Sequence, residues 1–211
     1  MAQELAMADR SRPAQARIAV AVIFFVNGVA LSSWVPHIPT VQQKLGLSTG
    51  TLGLALLGIA GGAVVSMPIA GWLIARHGSR VVTLTAAFLY CLTTPPLLLA
   101  SSLPALVLAL ILFGVFNGAM DVAMNAHGVA VERNIGRPVM SSLHALFSIG
   151  GLVGAGSAVA LLPLGLTPAA HVTAAAAGGV LALVLFPGPV TITAHPEHGV
   201  ADPYIQGALV C

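Results

Sequence analysis

Residues 113–133 constrain the fold of this chain most, because they place an acidic side chain inside a long apolar run. The run begins at Leu103 and is long enough to cross a bilayer, which takes about 20 helical residues. Asn117, Asp121 and Asn125 recur at every fourth position, so on a helix their side chains share one face. An aspartate at the centre of a membrane helix costs about 2.5–3.5 kcal/mol on insertion scales, and such a residue normally faces a bundle interior or a water-filled cavity. We therefore expect this face to line a polar site inside a membrane protein.

The composition also favours a membrane protein. Charged residues make up 7% of the chain and hydrophobic residues 57%, whereas a soluble domain carries about 25% charged residues. So little charge could not cover the surface of a soluble fold. The two cysteines, Cys91 and Cys211, do not have the spacing of a metal site. Metal-ligand spacing is also absent from four histidines, His37, His171, His195 and His198, so no metal and no cofactor is predicted.

Six apolar segments are predicted to span the lipid bilayer as helices. They cover residues 18–34, 51–75, about 81–100, 103–133, about 139–162 and about 169–186. Ser48 or Thr49 is suited to cap the second helix at its N-terminus. Residues 1–17 are polar and basic and contain Pro13, which predicts a disordered lead. Residues 187–211 are too polar and proline-rich for a seventh span, and their abrupt apolar end fits either a truncated gene or a true terminus.

The basic residues divide unevenly between the two sides of these spans. If the N-terminus lies in the cytoplasm, Lys44 is alone on the outer side, and seven arginines lie on the inner side: Arg10, Arg12, Arg17, Arg76, Arg80, Arg133 and Arg137. The positive-inside rule therefore predicts that both termini are cytoplasmic. Because topology accounts for the arginines, no nucleic-acid partner is predicted. Among the acids, Glu132 lies at the end of the fourth span, and Asp121 alone lies in the interior of a span.

A short sequence echo links the first and fourth spans. Residues 24–30 read F-F-V-N-G-V-A and residues 114–120 read G-V-F-N-G-A-M, so Asn27-Gly28 and Asn117-Gly118 lie at matching depths. Inverted repeats of three plus three helices place corresponding helices around a site near the bilayer midplane. The echo fits this arrangement, although chance identity between glycine-rich helices also accounts for a two-residue match.

The loop between the second and third spans carries a family resemblance. Its sequence G-W-L-I-A-R-H-G-S-R is similar to the major facilitator superfamily pattern G-x-L-A-D-R-x-G-R-[RK], with matches at Gly71, Leu73, Arg76, Gly78 and Arg80. Ala75 replaces the aspartate of that pattern, and Ser79 replaces the first basic residue after its second glycine. Residues 17–186 as a whole resemble the N-terminal six-helix half of such a transporter.

This resemblance implies an all-α integral membrane protein, one half of a 12-helix major facilitator fold with 3+3 inverted repeats. The stretches N-G-A-M-D-V-A-M-N and S-S-L-H-A-L-F-S-I-G-G are also similar to a bacterial, loosely fucose-permease-like branch, which implies a bacterial inner membrane. Three domains are expected: a cytoplasmic lead (1–17), a six-helix transmembrane domain (18–186) and a cytoplasmic tail (187–211). A six-helix half would have an open cavity face, so its expected partner is a missing C-terminal half or a second copy.

Spans one and four line the central cavity in this family, which agrees with the polar face deduced above. The candidate substrate-binding residues are Asn27, Asn117, Asp121 and Asn125, with His144 and Ser148 on the fifth span as additional candidates. Loss of water around a carboxylate favours its neutral form, so Asp121 could carry a coupled proton while the asparagine amides bind the substrate. Alternatively, Asp121 stays charged and pairs with a cationic substrate.

Structural roles compete with these functional ones. The asparagines could form interhelical hydrogen bonds worth about 0.6–2 kcal/mol, and Asp121 could be a structural partner of His144 or of an arginine. Two functions are therefore carried forward: a proton-coupled secondary transporter for a small polar solute, and a non-transporting membrane protein, either a remnant or an interaction subunit. An intramembrane enzyme has little support, because no catalytic motif lies in the spans.

Overall fold

The structure is a computed structural model that describes the backbone of residues 2–186 and the side chains from Ala14 onward. Within this range it contains helices and no strands, and six of the helices are long and apolar enough to cross a membrane. The helices are α1 (Ala2–Ser33), α2 (Ile38–Lys44), α3 (Thr49–His77), α4 (Ser79–Leu99), α5 (Leu103–Ile135), α6 (Met140–Leu161) and α7 (Pro168–Leu185). The six predicted spans correspond in order to α1, α3, α4, α5, α6 and α7. The short α2 belongs to the first connector.

The prediction of a disordered lead is wrong for the backbone, because α1 begins at Ala2 and continues through Pro13. Once the apolar helix from Ala14 has formed, each preceding residue extends it without a new nucleation cost. The lead is also rich in Ala, Gln, Glu, Leu and Met, which are strong helix formers, and this offsets the hydrogen bond that a proline removes. The predicted tail, residues 187–211, lies outside the described residues, and the division into three domains stays a prediction.

Side chains cap several helices where backbone N–H groups lack partners. The predicted Ser48 cap is confirmed, since its Oγ accepts a hydrogen bond from the Thr51 N–H at 3.1 Å. Ser102 and Thr167 cap α5 and α7 in the same way. The start of α6 is capped from another helix, because Glu132 Oε2 on α5 accepts from the N–H groups of Val139 at 2.6 Å and Met140 at 2.9 Å. These caps fix where the spans begin.

The six long helices interlock as two triplets, α1–α3–α4 and α5–α6–α7. The most extensive packing joins α1 to α6 and α3 to α5, and each of these pairs takes one helix from each triplet. A methyl group on Gly28 of α1 would collide with the backbone of Phe147 and Gly151 in α6. A methyl group on Gly118 of α5 would likewise collide with Ala63 in α3. The two glycines of the sequence echo therefore occupy equivalent close crossings, as small residues do in membrane bundles.

The buried core is centred on α1, α4 and α5. The Phe113 ring on α5 packs against the rings of Tyr90 and Trp34, with centroid distances of 4.7 and 6.1 Å. In contrast, only 22% of the most apolar stretch of α3 and 17% of that of α6 are buried, against 56% for α1. These two helices therefore present the largest uncovered apolar faces of the bundle.

Candidate functional site

The polar face predicted on α5 is present and accessible. Asn117, Asp121 and Asn125 are all half-buried and lie on successive turns of one helix. Asn125 Nδ2 donates to the backbone carbonyl of Asp121 at 2.8 Å and to its carboxylate Oδ1 at 3.2 Å. Asn117 forms no side-chain hydrogen bond within the described residues. The Oδ1 atom of Asp121 is thus held by the next turn of its own helix, whereas the other carboxylate oxygen has no hydrogen bond from a described residue.

Asn27 lies behind this face, at the contact between α1 and α5. Its side chain is 2% exposed, and its Nδ2 donates to the Met124 sulfur at 3.3 Å. Its Oδ1 is buried and accepts no hydrogen bond from any described residue. A buried amide oxygen without a partner is unfavourable by about 1–3 kcal/mol, so a hydrogen-bond donor that reached this atom would be bound favourably.

The two candidates on α6 are more exposed than those on α5. The His144 ring packs edge-on against Phe24 of α1, with a centroid distance of 5.3 Å, and lies close enough to Asp121 for an electrostatic interaction. Ser148 Oγ donates to the His144 backbone carbonyl at 3.1 Å, so its hydroxyl bonds within α6. The structure therefore brings Asp121, Asn125 and His144 to one region between α1, α5 and α6, with Asn27 buried beside it. Substrate binding by these residues stays a prediction.

The loop that carries the sequence motif turns at Gly78. This residue has φ +81°, where glycine is strongly favoured, and its N–H caps α3 by donating to the Ile74 carbonyl at 2.8 Å. Arg76 stacks over the Trp72 ring, 4.4 Å from its centroid. Ser79 Oγ lies 3.3 Å from Nδ1 of His127 on α5. His127 is therefore a buried partner of this loop.

Comparison with known proteins identifies the family. The sequence profile of the Major Facilitator Superfamily matches residues 20–203. The chain belongs to the major facilitator superfamily. Its six apolar helices agree with one half of that fold, so the chain is an integral membrane protein of a transporter family. The fucose-permease-like branch stays a prediction.

The curated relatives of this major facilitator chain are longer than the chain. An uncharacterized MFS-type transporter of Yersinia pestis is 41% identical over 169 residues, which cover 80% of this chain and 43% of the relative. An uncharacterized transporter of Sinorhizobium fredii is 35% identical over 184 residues, 86% of this chain and 49% of the relative. Membrane protein MosC of Rhizobium meliloti is 36% identical over 136 residues, 64% of this chain and 33% of the relative. The chain thus spans less than half the length of these relatives.

Sequence reasoning missed one polar cluster in this major facilitator chain. His37 Nε2 lies 3.0 Å from His171 Nδ1, and His171 Nε2 lies 2.9 Å from Ser157 Oγ. Both histidines are buried. The three residues are far apart in sequence, so no spacing could reveal that they meet. In the described part of the chain, no group of three or more His, Cys, Asp or Glu residues could hold a metal ion.

Proposed function

We propose that this chain forms the N-terminal half of a secondary active transporter that moves a small polar solute across the bacterial inner membrane, with both termini in the cytoplasm. The observation that supports this most strongly is the half-buried carboxyl group of Asp121, an acid in the middle of the apolar helix α5. Family membership supports transport in general. The distribution of arginines supports the orientation.

Asp121 is the proposed proton carrier. Its Oδ1 accepts from Asn125 at 3.2 Å, which ties one oxygen of the carboxyl group to the next turn of α5. A carboxyl group in this environment can alternate between a charged and a neutral form as solvent access changes. Asn117 and the free Oδ1 of Asn27 offer donors and an acceptor for solute hydroxyl or amino groups. With Asp121 permanently charged, the same site would instead favour a cationic solute.

A second half is the proposed partner. The uncovered apolar faces of α3 and α6 are suited to a second six-helix unit, and the greater length of the relatives supports a C-terminal half as that unit. A second copy of this chain is the other arrangement that could close the cavity. Alternating access needs both units, because the two rock around a site near the membrane midplane.

Transport assays test this proposal. We would purify the protein from its native membrane, together with any second half bound to it, and reconstitute it in liposomes loaded with a pH-sensitive dye. Hexoses, organic cations and organic acids would then be added in turn. Proton entry that accompanies one solute class is the expected result. Asp121→Asn should abolish coupled proton movement and leave protein yield and thermal stability unchanged. Asp121→Glu, the matched control that keeps a carboxyl group, should retain slower coupled transport.

The outcomes separate the possible roles of Asp121. Loss of proton movement in Asp121→Asn with solute exchange retained supports the carrier role, whereas loss of both supports a role in binding a cationic solute. Unchanged coupled uptake removes Asp121 from the mechanism. If no solute moves, either with this chain alone or with its second half present, the chain is a non-transporting membrane protein.

A further inference from the structure

A cavity of about 680 Å³ lies away from the polar face, at the end of the bundle where most of the arginines lie. It opens between the start of α1, the end of α5 and the start of α6. Its walls include Arg17, Ile18, Ala21, Arg137, Ser142 and Ile149. The cavity combines two basic side chains and one hydroxyl group with walls that are otherwise apolar.

The two arginines in this cavity lack an anionic partner in the described part of the chain. Neither the Arg17 nor the Arg137 guanidinium forms a hydrogen bond or ion pair with a described residue. Glu132 is near Arg137 in sequence, but its Oε2 already accepts from the backbone of Val139 and Met140. Two arginines beside one cavity make its electrostatic potential positive, so the cavity is suited to a negatively charged group.

The apolar walls extend from the arginines along the bundle. Ile18 and Ala21 follow Arg17 on α1, and Ile149 lies two turns beyond Ser142 on α6. Ile18 and Ile149 are 52% and 50% exposed, so no described residue fills this groove along its length. A ligand that fits must have an anionic head at the end of the helices and an apolar chain directed toward the membrane interior.

We propose that this cavity binds one anionic phospholipid, with its phosphodiester between Arg17 and Arg137 and an acyl chain along Ile18, Ala21 and Ile149. Both arginines lie near the ends of membrane-spanning helices, where lipid phosphates are located. Ser142 donates its hydroxyl hydrogen to the Val139 carbonyl at 2.6 Å, so its oxygen is free to accept a hydrogen bond. A glycerol headgroup can donate one, which makes phosphatidylglycerol the expected lipid. This site goes beyond the proposed transport function and does not depend on it.

Native mass spectrometry of the detergent-purified full chain tests the site. We would titrate phosphatidylglycerol and phosphatidylcholine with identical acyl chains and compare their dissociation constants. Phosphatidylglycerol should bind more tightly. Arg17→Gln or Arg137→Gln should each weaken its binding about fivefold, and the double variant about 25-fold, which is the effect of removing one or two basic contacts with an anionic lipid.

Matched variants exclude a general effect of charge or folding. Arg76→Gln removes an arginine outside this cavity and should leave phosphatidylglycerol affinity unchanged. The double variant Arg17→Lys with Arg137→Lys keeps both charges and should retain most of the affinity, so it tests the site even if the glutamine pair folds poorly. Equal affinity for both lipids, or unchanged affinity in the double glutamine variant, would overturn the proposal. Displacement of the lipid by an equimolar amount of inorganic phosphate or glycerol phosphate would also overturn it, because the cavity would then bind a soluble anion.

Discussion

The imidazole of His37, in the connector after α1, lies 3.0 Å from that of His171 at the start of α7. Ser157 on α6 donates its hydroxyl hydrogen to the Gly154 carbonyl at 2.9 Å, so its oxygen can only accept from His171 Nε2. When both rings are neutral, this arrangement requires His171 to carry its hydrogen on Nε2 and to accept the His37 hydrogen on Nδ1. This chain of hydrogen bonds ties together α6, α7 and the connector after α1.

Replacement of His171 by phenylalanine should lower the free energy of unfolding by about 1–3 kcal/mol, because His37 and Ser157 both lose a buried partner. Thermal unfolding in detergent measures the change. A double-mutant cycle with His37→Phe should give a coupling free energy of about 0.5–3 kcal/mol. Strict additivity of the two substitutions would show that the hydrogen bond contributes nothing to stability.

Gly28→Ala and Gly118→Ala should each destabilise the bundle by about 1–3 kcal/mol, because the added methyl group meets backbone atoms of the crossing helix. Gly61→Ala is the matched control on α3, where an added methyl group contacts nothing within 4 Å. Alanine has the higher helix propensity, so this control should unfold at an equal or higher temperature. Equal destabilisation by all three substitutions would refute the role of the crossings.

Within the loop motif, Gly78→Ala should cost about 1–3 kcal/mol, since residues with a side chain rarely adopt its φ of +81°. Gly71→Ala introduces the same methyl group at a helical position with open space around it. The expected pattern in thermal unfolding is a lower midpoint for the Gly78 variant alone. A lower midpoint for the Gly71 variant would point to a contact outside the described residues.

Glu132→Ala removes the acceptor for two N–H groups at the start of α6. A capping carboxylate of this kind contributes about 1–2 kcal/mol, and the resulting fraying should increase hydrogen exchange at Val139 and Met140. Exchange mass spectrometry would detect this as faster labelling of the peptide that begins α6. The α5 start, capped by Ser102, is an internal reference whose labelling should stay constant.

Asn27→Leu separates a structural role of Asn27 from a binding role. The substitution removes one hydrogen bond to Met124 and one buried oxygen without a partner, so the free energy of unfolding should change by less than about 1 kcal/mol. Solute transport should nevertheless fall strongly if Oδ1 accepts a hydrogen bond from the solute. Full transport with a large loss of stability would assign Asn27 to packing alone.

The number and order of the spans could be predicted from hydropathy, because lipid requires long apolar helices that satisfy their own backbone groups. The polar face of α5 was also predictable, since the spacing of Asn117, Asp121 and Asn125 follows helix geometry directly. The Asn125–Asp121 hydrogen bond is a local consequence of that spacing. These features depend on residues close in the sequence.

Features that depend on packing between distant helices were not predictable. The meeting of His37, His171 and Ser157 depends on how α1, α6 and α7 approach one another. The burial of His127 against Ser79 depends in the same way on α4 and α5. Helical structure in the lead was missed for a different reason, since Pro13 was given more weight than the helix-forming residues around it.

The interlocking of the two helical triplets determines when the bundle can fold during synthesis. When α1, α3 and α4 have left the ribosome, Gly28 has no helix to cross, because its neighbours Phe147 and Gly151 have not been made. Likewise, α3 has no partner for its most extensive packing until α5 has been made. Domains usually fold as units in the order in which they are made, but here α1 and α3 lack their most extensively packed neighbours until α6 and α5 are inserted. Until then, the nascent chain leaves the close-packing face around Gly28 without its partner helix.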